Sequence, residues 1–277
     1  MDKSPEDYSG FSQIKKYAKD LAKVYRAEKE KRKGLEAANQ QLMKYADDLS
    51  KTHAHLKSTY RELQEAYFDT IQRLVVAAEY KDEDTGAHII RMSRYSALIA
   101  EKLGLPSRDV QNIFYATPMH DVGKIGIPDN ILLKPAKLNY EEFELMKNHT
   151  KIGANILANS RAEILQVARQ IAISHHEKWN GKGYPMGLTN NSIPLAGRIV
   201  SLPDTFDALT SRRPYKNPYP VEIACDIIKK ERGENFDPGI VDVFLENIDE
   251  ILKIRTEAGM EDGVSPADFH WSERDQD

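Results

Sequence analysis

The chain has 277 residues, 40% apolar and 30% charged, enough to bury a sizeable core as one large domain or two small ones. A net charge of −4 and a pI near 6.1 exclude a global basic field that would draw duplex nucleic acid, so an anionic ligand must be gripped locally. Cys225 is the sole cysteine, which excludes an intrachain disulfide and fits a reducing compartment; with no leader pattern and no run of about 18 apolar residues, no membrane span is expected and the cytoplasm is the expected location.

From Phe11 to about Leu74 the sequence lacks proline and reads as one helix. Ile14, Leu21, Leu35, Leu42, Leu49, Leu56 and Leu63 share one seven-residue register, interrupted by Glu28 and ending at Thr70. A softer companion column holds Ala18, Tyr25, Asn39, Ala46, His53, Tyr60, Tyr67 and Leu74. Sustained heptads with charged flanks predict a coiled coil, and residues 1–73 are assigned to such a dimerisation helix. At 1.5 Å per residue it would be roughly 90–100 Å long. Parallel pairing into a homodimer would set two following domains side by side.

Residues 74–254 read as a wholly helical domain. A helix is expected over His88–Leu103, leaving through Gly104 and Pro106, and Ser107 is expected to cap the helix that runs into His120. Further helices are expected over Tyr140–Ala158, Arg161–His175, Leu195–Leu209, Val221–Lys230 and Asp237–Ile254. The Gly-, Pro- and Asn-rich stretch 180–191 reads as a loop, and residues 255–277 as a polar, loosely ordered tail. The fold class is therefore all-α.

The segment HDVGK, residues 120–124, sets an imidazole beside a carboxylate with a lysine one turn on. Neutral imidazole and ionised carboxylate suit a divalent metal, and the lysine supplies a cation for phosphate. His88, His149, the doublet His175–His176 and Asp204 complete a set of candidate ligands. Singly, each histidine reads as an ordinary surface or core residue. Asp204, within the apolar run IVSLPDTFDAL, is odder, because a buried carboxylate requires a cation or several hydrogen bonds. Adjacent helical residues diverge by about 100°, so His120 and Asp121 can converge only if the helix ends there, or if Asp121 bridges two ions. Two ions sharing a hydroxide could drive in-line displacement at phosphorus, with water as the nucleophile.

The pair HD followed by HHEKWNGKGYP, residues 175–185, resembles the HD-GYP branch of the HD-domain phosphohydrolases. The likeness extends through KDEDTGAHIIRMSRY, ILLKPAKL, FELMKNHTKIGANIL, IPLAGRIVSLPDTFDALTSRRPYK and NFDPGIVDVF, or roughly residues 70–254. It implies an HD-domain helical bundle that hydrolyses cyclic dinucleotides, chiefly cyclic di-GMP, in bacterial second-messenger signalling. It implies two or three divalent metals, iron or manganese. By position, His88, His120, Asp121 and Asp204 would hold one ion, with Asp121 bridging to a second on His149, His175 and His176. Asp84 stands where relatives use a glutamate for a third ion, and is one methylene shorter. His120, Asp121 and Lys124 form the expected catalytic group. Lys124, Arg213 and Lys216 match phosphate contacts. Tyr184 is expected either to touch the ligand or to support the loop, with Trp179 as buried support. Asp207 is expected to orient a ligand or the lysine, Glu177 to brace the histidine doublet, and Arg198 to bind a carboxylate at the site or in a structural salt bridge. A signalling partner, of GGDEF or other type, is also implied.

Three departures from the family pattern stand out besides Asp84. Pro203 precedes Asp204 and is expected to bend its helix, Asn235 replaces a common histidine, and Ala136 replaces a frequent glycine. A catalytically weak sensing or scaffold protein, or a hydrolase of another cyclic dinucleotide such as cyclic GMP-AMP, are the competing readings.

Overall fold

The computed structural model describes residues 5–79, 86–211 and 217–260. The described residues fall into helices and turns, with two isolated bridges, Asn180–Thr189 and Arg232–Phe236, in place of any sheet. The all-α expectation holds. None of the described helices is long and apolar enough to cross a membrane.

The chain divides into two compact units, one ending at Gln64 and the other beginning at Glu65. In the first, residues 5–64 belong to α1 (Pro5–Glu79), and its heptad side chains are open to solvent, Leu21 at 72% and Leu49 at 71%. Ion pairs one turn apart, Arg32–Glu36 and Lys51–Asp47, line its surface. Such exposed pairs contribute little stability.

In the second unit, the end of α1 contributes Phe68 and Val75 to a helical core. Phe68 stacks on Tyr115 with ring centres 3.4 Å apart. Around α2 (Gly86–Lys102) pack α3 (Ser107–Ala116), α8 (Leu195–Thr210), α10 (Pro238–Glu246) and α11 (Ile248–Met260). Its buried stripe, Ile89, Met92, Ser93, Ser96, Ile99 and Ala100, follows the three-and-four spacing of one helix face. Between α4 (Asp129–Leu132) and α8 lie α5 (Tyr140–Met146), α6 (Asn148–Ile156) and α7 (Glu163–Ser174), with α7 against α3, α6 and α8; α9 (Val221–Lys230) lies on α8.

Several expected boundaries are corrected. The helix expected over Tyr140–Ala158 is two, α5 and α6, meeting at Lys147. The one expected over Asp237–Ile254 breaks at Asn247 into α10 and α11. Apolar periodicity continues across both breaks, which hides them. Helix α11 runs to Met260, past the expected end at Ile254, because Ala258 is buried in the core. Ser107 is the first helical residue rather than the cap: Pro106 takes the cap position, and its carbonyl accepts from the Asp109 and Val110 N–H groups. Pro203 lies inside α8 without ending it, its ring buried in the core.

Candidate metal centre

Helix α3 stops at Ala116, and a 3-10 turn, Thr117–Met119, follows. Pro118 has no N–H to continue the α ladder. His120 is still helical, but Asp121 swings to φ −104°, ψ 9°, opening a second 3-10 turn over Val122–Gly126. The helix thus ends at the two adjacent candidate ligands, where convergence requires it to end. That second turn lies directly on α6: a Cβ on Gly123 would stand 1.9 Å from the His149 carbonyl oxygen and 2.4 Å from the Gly153 nitrogen. Only glycine permits this approach. It brings Asp121 and His149 to one place.

His88 comes from α2, His149 from α6, His175 and His176 from the end of α7, and Asp204 from α8. The ligating atoms form two groups, each within 4.8 Å internally: Asp121, His149, His175 and His176, and then His88, His120 and Asp204. Asp121 faces both. Its Oδ1 lies 3.3 Å from His149 Nε2 and 3.4 Å from His175 Nε2, while Oδ2 lies 3.4 Å from His120 Nε2 and 2.8 Å from Lys124 Nζ.

The hydrogen bonds fix which imidazole nitrogen is available. Nδ1 of His120 donates to the Thr117 carbonyl at 3.0 Å, that of His149 to Met146 at 2.7 Å, and that of His175 to Ile171 at 3.0 Å. A carbonyl can only accept, so Nδ1 carries the proton and Nε2 keeps its lone pair. His88 Nδ1 donates likewise to Asp207 Oδ2 at 2.7 Å. His149 Nε2, His175 Nε2 and Asp121 Oδ1 are buried with no hydrogen-bond partner. Lone pairs aimed at one another in a buried space are costly unless a cation sits between them.

Electrostatics agree. Burial drives the His149 pKa down to about 4, against the pull of Asp121. Burial and the neighbouring His175 hold His176 well below its usual value. Burial pushes the Asp121 carboxyl up, but Lys124, His120 and His175 outweigh it and keep it well below the carboxylate range. At neutral pH His149 and His176 are neutral donors and Asp121 is an anion. Imidazole and carboxylate donors of this kind fit a divalent transition metal.

The family model described as "HD domain" matches residues 76–240. This chain is an HD-domain protein of the HD-GYP type. It is 46% identical over 195 residues to a protein of Thermotoga maritima named "Cyclic di-GMP phosphodiesterase", covering 70% of this chain and 53% of that one. It is 45% identical over 190 residues to the "Cyclic di-GMP phosphodiesterase response regulator RpfG" of Xanthomonas campestris pv. campestris, covering 69% and 50%. Identity to the "3'3'-cGAMP-specific phosphodiesterase 2" of Vibrio cholerae is 40% over 194 residues, covering 70% and 37%. The chain thus spans about half the length of the first two of these curated relatives. A crystal structure of a cyclic GMP-AMP specific phosphodiesterase of V. cholerae shares the fold, with a TM-score of 0.51 at 20% identity over 74% of this chain and 55% of that one.

Other expected residues of this HD-GYP chain take varied places. Tyr184 packs on His176, ring centres 4.8 Å apart at 33°, and lies 6.4 Å from the His149 ring. Asp207 is 2% exposed and accepts two bonds from Arg91, at 2.6 and 2.8 Å, as well as one from His88. Asp207 thus holds the His88 ring, while Lys124, the other residue it was expected to orient, pairs with Asp121. Glu177 does not brace the histidine doublet. Its two oxygens accept from the backbone N–H groups of Met186 and Leu188, folding the GYP loop over the site. A Cβ on Gly183 would lie 2.2 Å from the Lys178 nitrogen, so the loop needs glycine there. Arg198 makes the structural alternative, bonding Asp237 and lying over Trp179. Trp179 is half-buried, and its backbone N–H donates to the Asn235 carbonyl, a bond that does not depend on the residue type at 235. Pro203 does not displace Asp204, which stays with His88 and His120. Asp84, Arg213 and Lys216 lie outside the described residues.

Arg91 was not anticipated from the sequence. Its signal is spacing: it follows His88 by three residues on α2, as Asp207 follows Asp204 by three on α8, so the two helices meet through two matched pairs.

Proposed function

We propose that this chain is a metal-dependent phosphodiesterase that hydrolyses cyclic di-GMP in bacterial signalling. The observation that carries the reading is the convergence of five histidines and two aspartates, in two groups that face opposite oxygens of Asp121. The names of relatives matched over this same region supply the substrate class.

Within this proposal His88, His120, Asp121 and Asp204 hold one ion, and Asp121, His149, His175 and His176 a second; iron or manganese suits the mixed nitrogen and oxygen donors. Asp84 is proposed for a third. When bound, the ions supply Lewis acidity, activating water and neutralising charge on phosphoryl oxygens. The chain's residues do the rest. Asp121 stays ionised, so it can serve both groups. Lys124 Nζ, at the Asp121 oxygen, is placed to reach a phosphate oxygen, joined by Arg213 and Lys216. Burial, with Asp121 and Asp204 near, keeps the Tyr184 phenol protonated and so a hydrogen-bond donor. The catalytic domain is the unit that begins at Glu65 and keeps α11 in its core, and residues 5–64 of α1 make a parallel coiled coil joining two copies in the cytoplasm and passing on a signal, including one from a GGDEF-type partner.

The test is an anaerobic metal count per chain on the full protein, loaded with iron or manganese, beside chromatography of products from cyclic di-GMP and cyclic GMP-AMP. At least two ions per chain and cleavage of cyclic di-GMP are expected. Loaded protein that binds the nucleotide without turnover would favour a sensor or scaffold. Faster cleavage of cyclic GMP-AMP would move the substrate toward that named for the V. cholerae relative.

A further inference from the structure

Helix α5 buries none of its side chains, yet carries a phenylalanine. It is held at the surface by polar contacts: the Asn139–Glu142 capping box and the Lys134–Glu142 pair. Phe143 is 44% exposed, so core packing does not account for it. Its ring stands edge-on to Tyr184, centres 6.0 Å apart at 83°, and Tyr184 in turn packs on the ligand His176. Lys147 Nζ is 5.5 Å from the Phe143 ring centre and 5.7 Å from that of Tyr184, with Glu144 holding it at 2.6 Å.

We propose that Phe143, Lys147 and Tyr184 form a purine-binding corner beside the His149–His176 side of the metal centre. This deepens the function proposed above and rests on it. Two perpendicular aromatic rings with a cation at their rim offer a flat base one face to stack on and one edge to meet. The ammonium can donate to an acceptor such as purine N7. In a cyclic dinucleotide each base is joined to the phosphodiester through one ribose. A phosphate at the metal centre therefore places a base in the neighbourhood of the ring that packs on His176. Base–aromatic stacking tolerates any base, so the corner would strengthen binding of dinucleotides in general.

The test is the ratio of kcat/KM for cyclic di-GMP to that for bis(4-nitrophenyl) phosphate, a diester without purine, in the metal-loaded full chain. Damage to the metal centre or the fold lowers both terms and cancels. Phe143→Leu is expected to lower the ratio about tenfold, through KM for the dinucleotide, and Phe143→Trp to restore it. Lys147→Met is expected to lower it as well. An unchanged ratio in Phe143→Leu, or no restoration by tryptophan, would overturn the corner while leaving the phosphodiesterase reading intact. Wild-type protein that cleaves the purine-free diester but no cyclic dinucleotide would overturn both.

Discussion

Asp207 Oδ2 accepts a hydrogen bond from Nδ1–H of His88 at 2.7 Å, between two helices and across 119 residues of sequence. The same carboxylate is clamped by Arg91, and the Arg91 and His88 hydrogen bonds overcome burial to keep it ionised. A residue that touches no ion thus sets the tautomer of one that would. Asp207→Asn keeps the shape but loses the charge, and can present an N–H to His88 instead of an acceptor. Metal affinity should fall roughly 10–100-fold, read by competition with a chromophoric chelator. Undiminished affinity would show that His88 needs no such partner.

The contact between Gly123 and the His149 carbonyl predicts a sharp response to one methyl group. Both obstacles to a Cβ are backbone atoms, which cannot rotate aside. Gly123→Ala should destabilise the fold by about 3 kcal/mol or more, measured as a lower urea midpoint at unchanged slope, and should weaken metal binding by parting Asp121 from His149.

Acid should unfold the metal-free protein early. His149 titrates near 4 in the fold and at 6.5 in the unfolded chain, so between those values the unfolded chain binds more protons and stability falls as pH is lowered. The loss from this group amounts to about 3 kcal/mol at most, and His176 adds to it with the same sign. Asp121 and Asp207, both depressed, contribute stability that is fully present above about pH 4 and is lost progressively as pH falls from there toward their lower folded values. Chelator-treated protein should therefore lose stability from about pH 6.5 downward, and His149→Gln should flatten that slope. Urea unfolding at stepped pH values checks both.

Residues Leu35, Leu42 and Leu49 sit on one exposed column of α1. If that column pairs two copies, changing all three to lysine should convert a dimer into a monomer in sedimentation equilibrium, with the helical domain still folded by thermal melting. A monomeric wild type would end the pairing argument. Asn39→Leu should tighten the dimer while loosening its register.

Much of this molecule was legible in its sequence, and the misses have physical causes. The ligand set stands out because histidines and carboxylates inside apolar helices demand an explanation. The all-helical class follows from apolar spacing that never settles at period two. The breaks at Lys147 and Asn247 escaped because each is a single residue within an otherwise continuous apolar rhythm. Ser107 misled because a residue type suited to capping stood one place past the cap. Glu177 was misread since its acceptors' targets are amides nine and eleven residues on, in a loop with no periodicity to place them. The pairing of His88 with Asp207 needed the crossing of α2 and α8, which no local pattern encodes.

Backbone carbonyls and one aspartate lock four imidazoles with their free electron pairs turned inward. An ion that binds only this arrangement must stabilise it by mass action. The amount of intact protein in a cell would then follow the supply of trace elements, and starvation for them would be felt as shrinking abundance before it was felt as slower turnover.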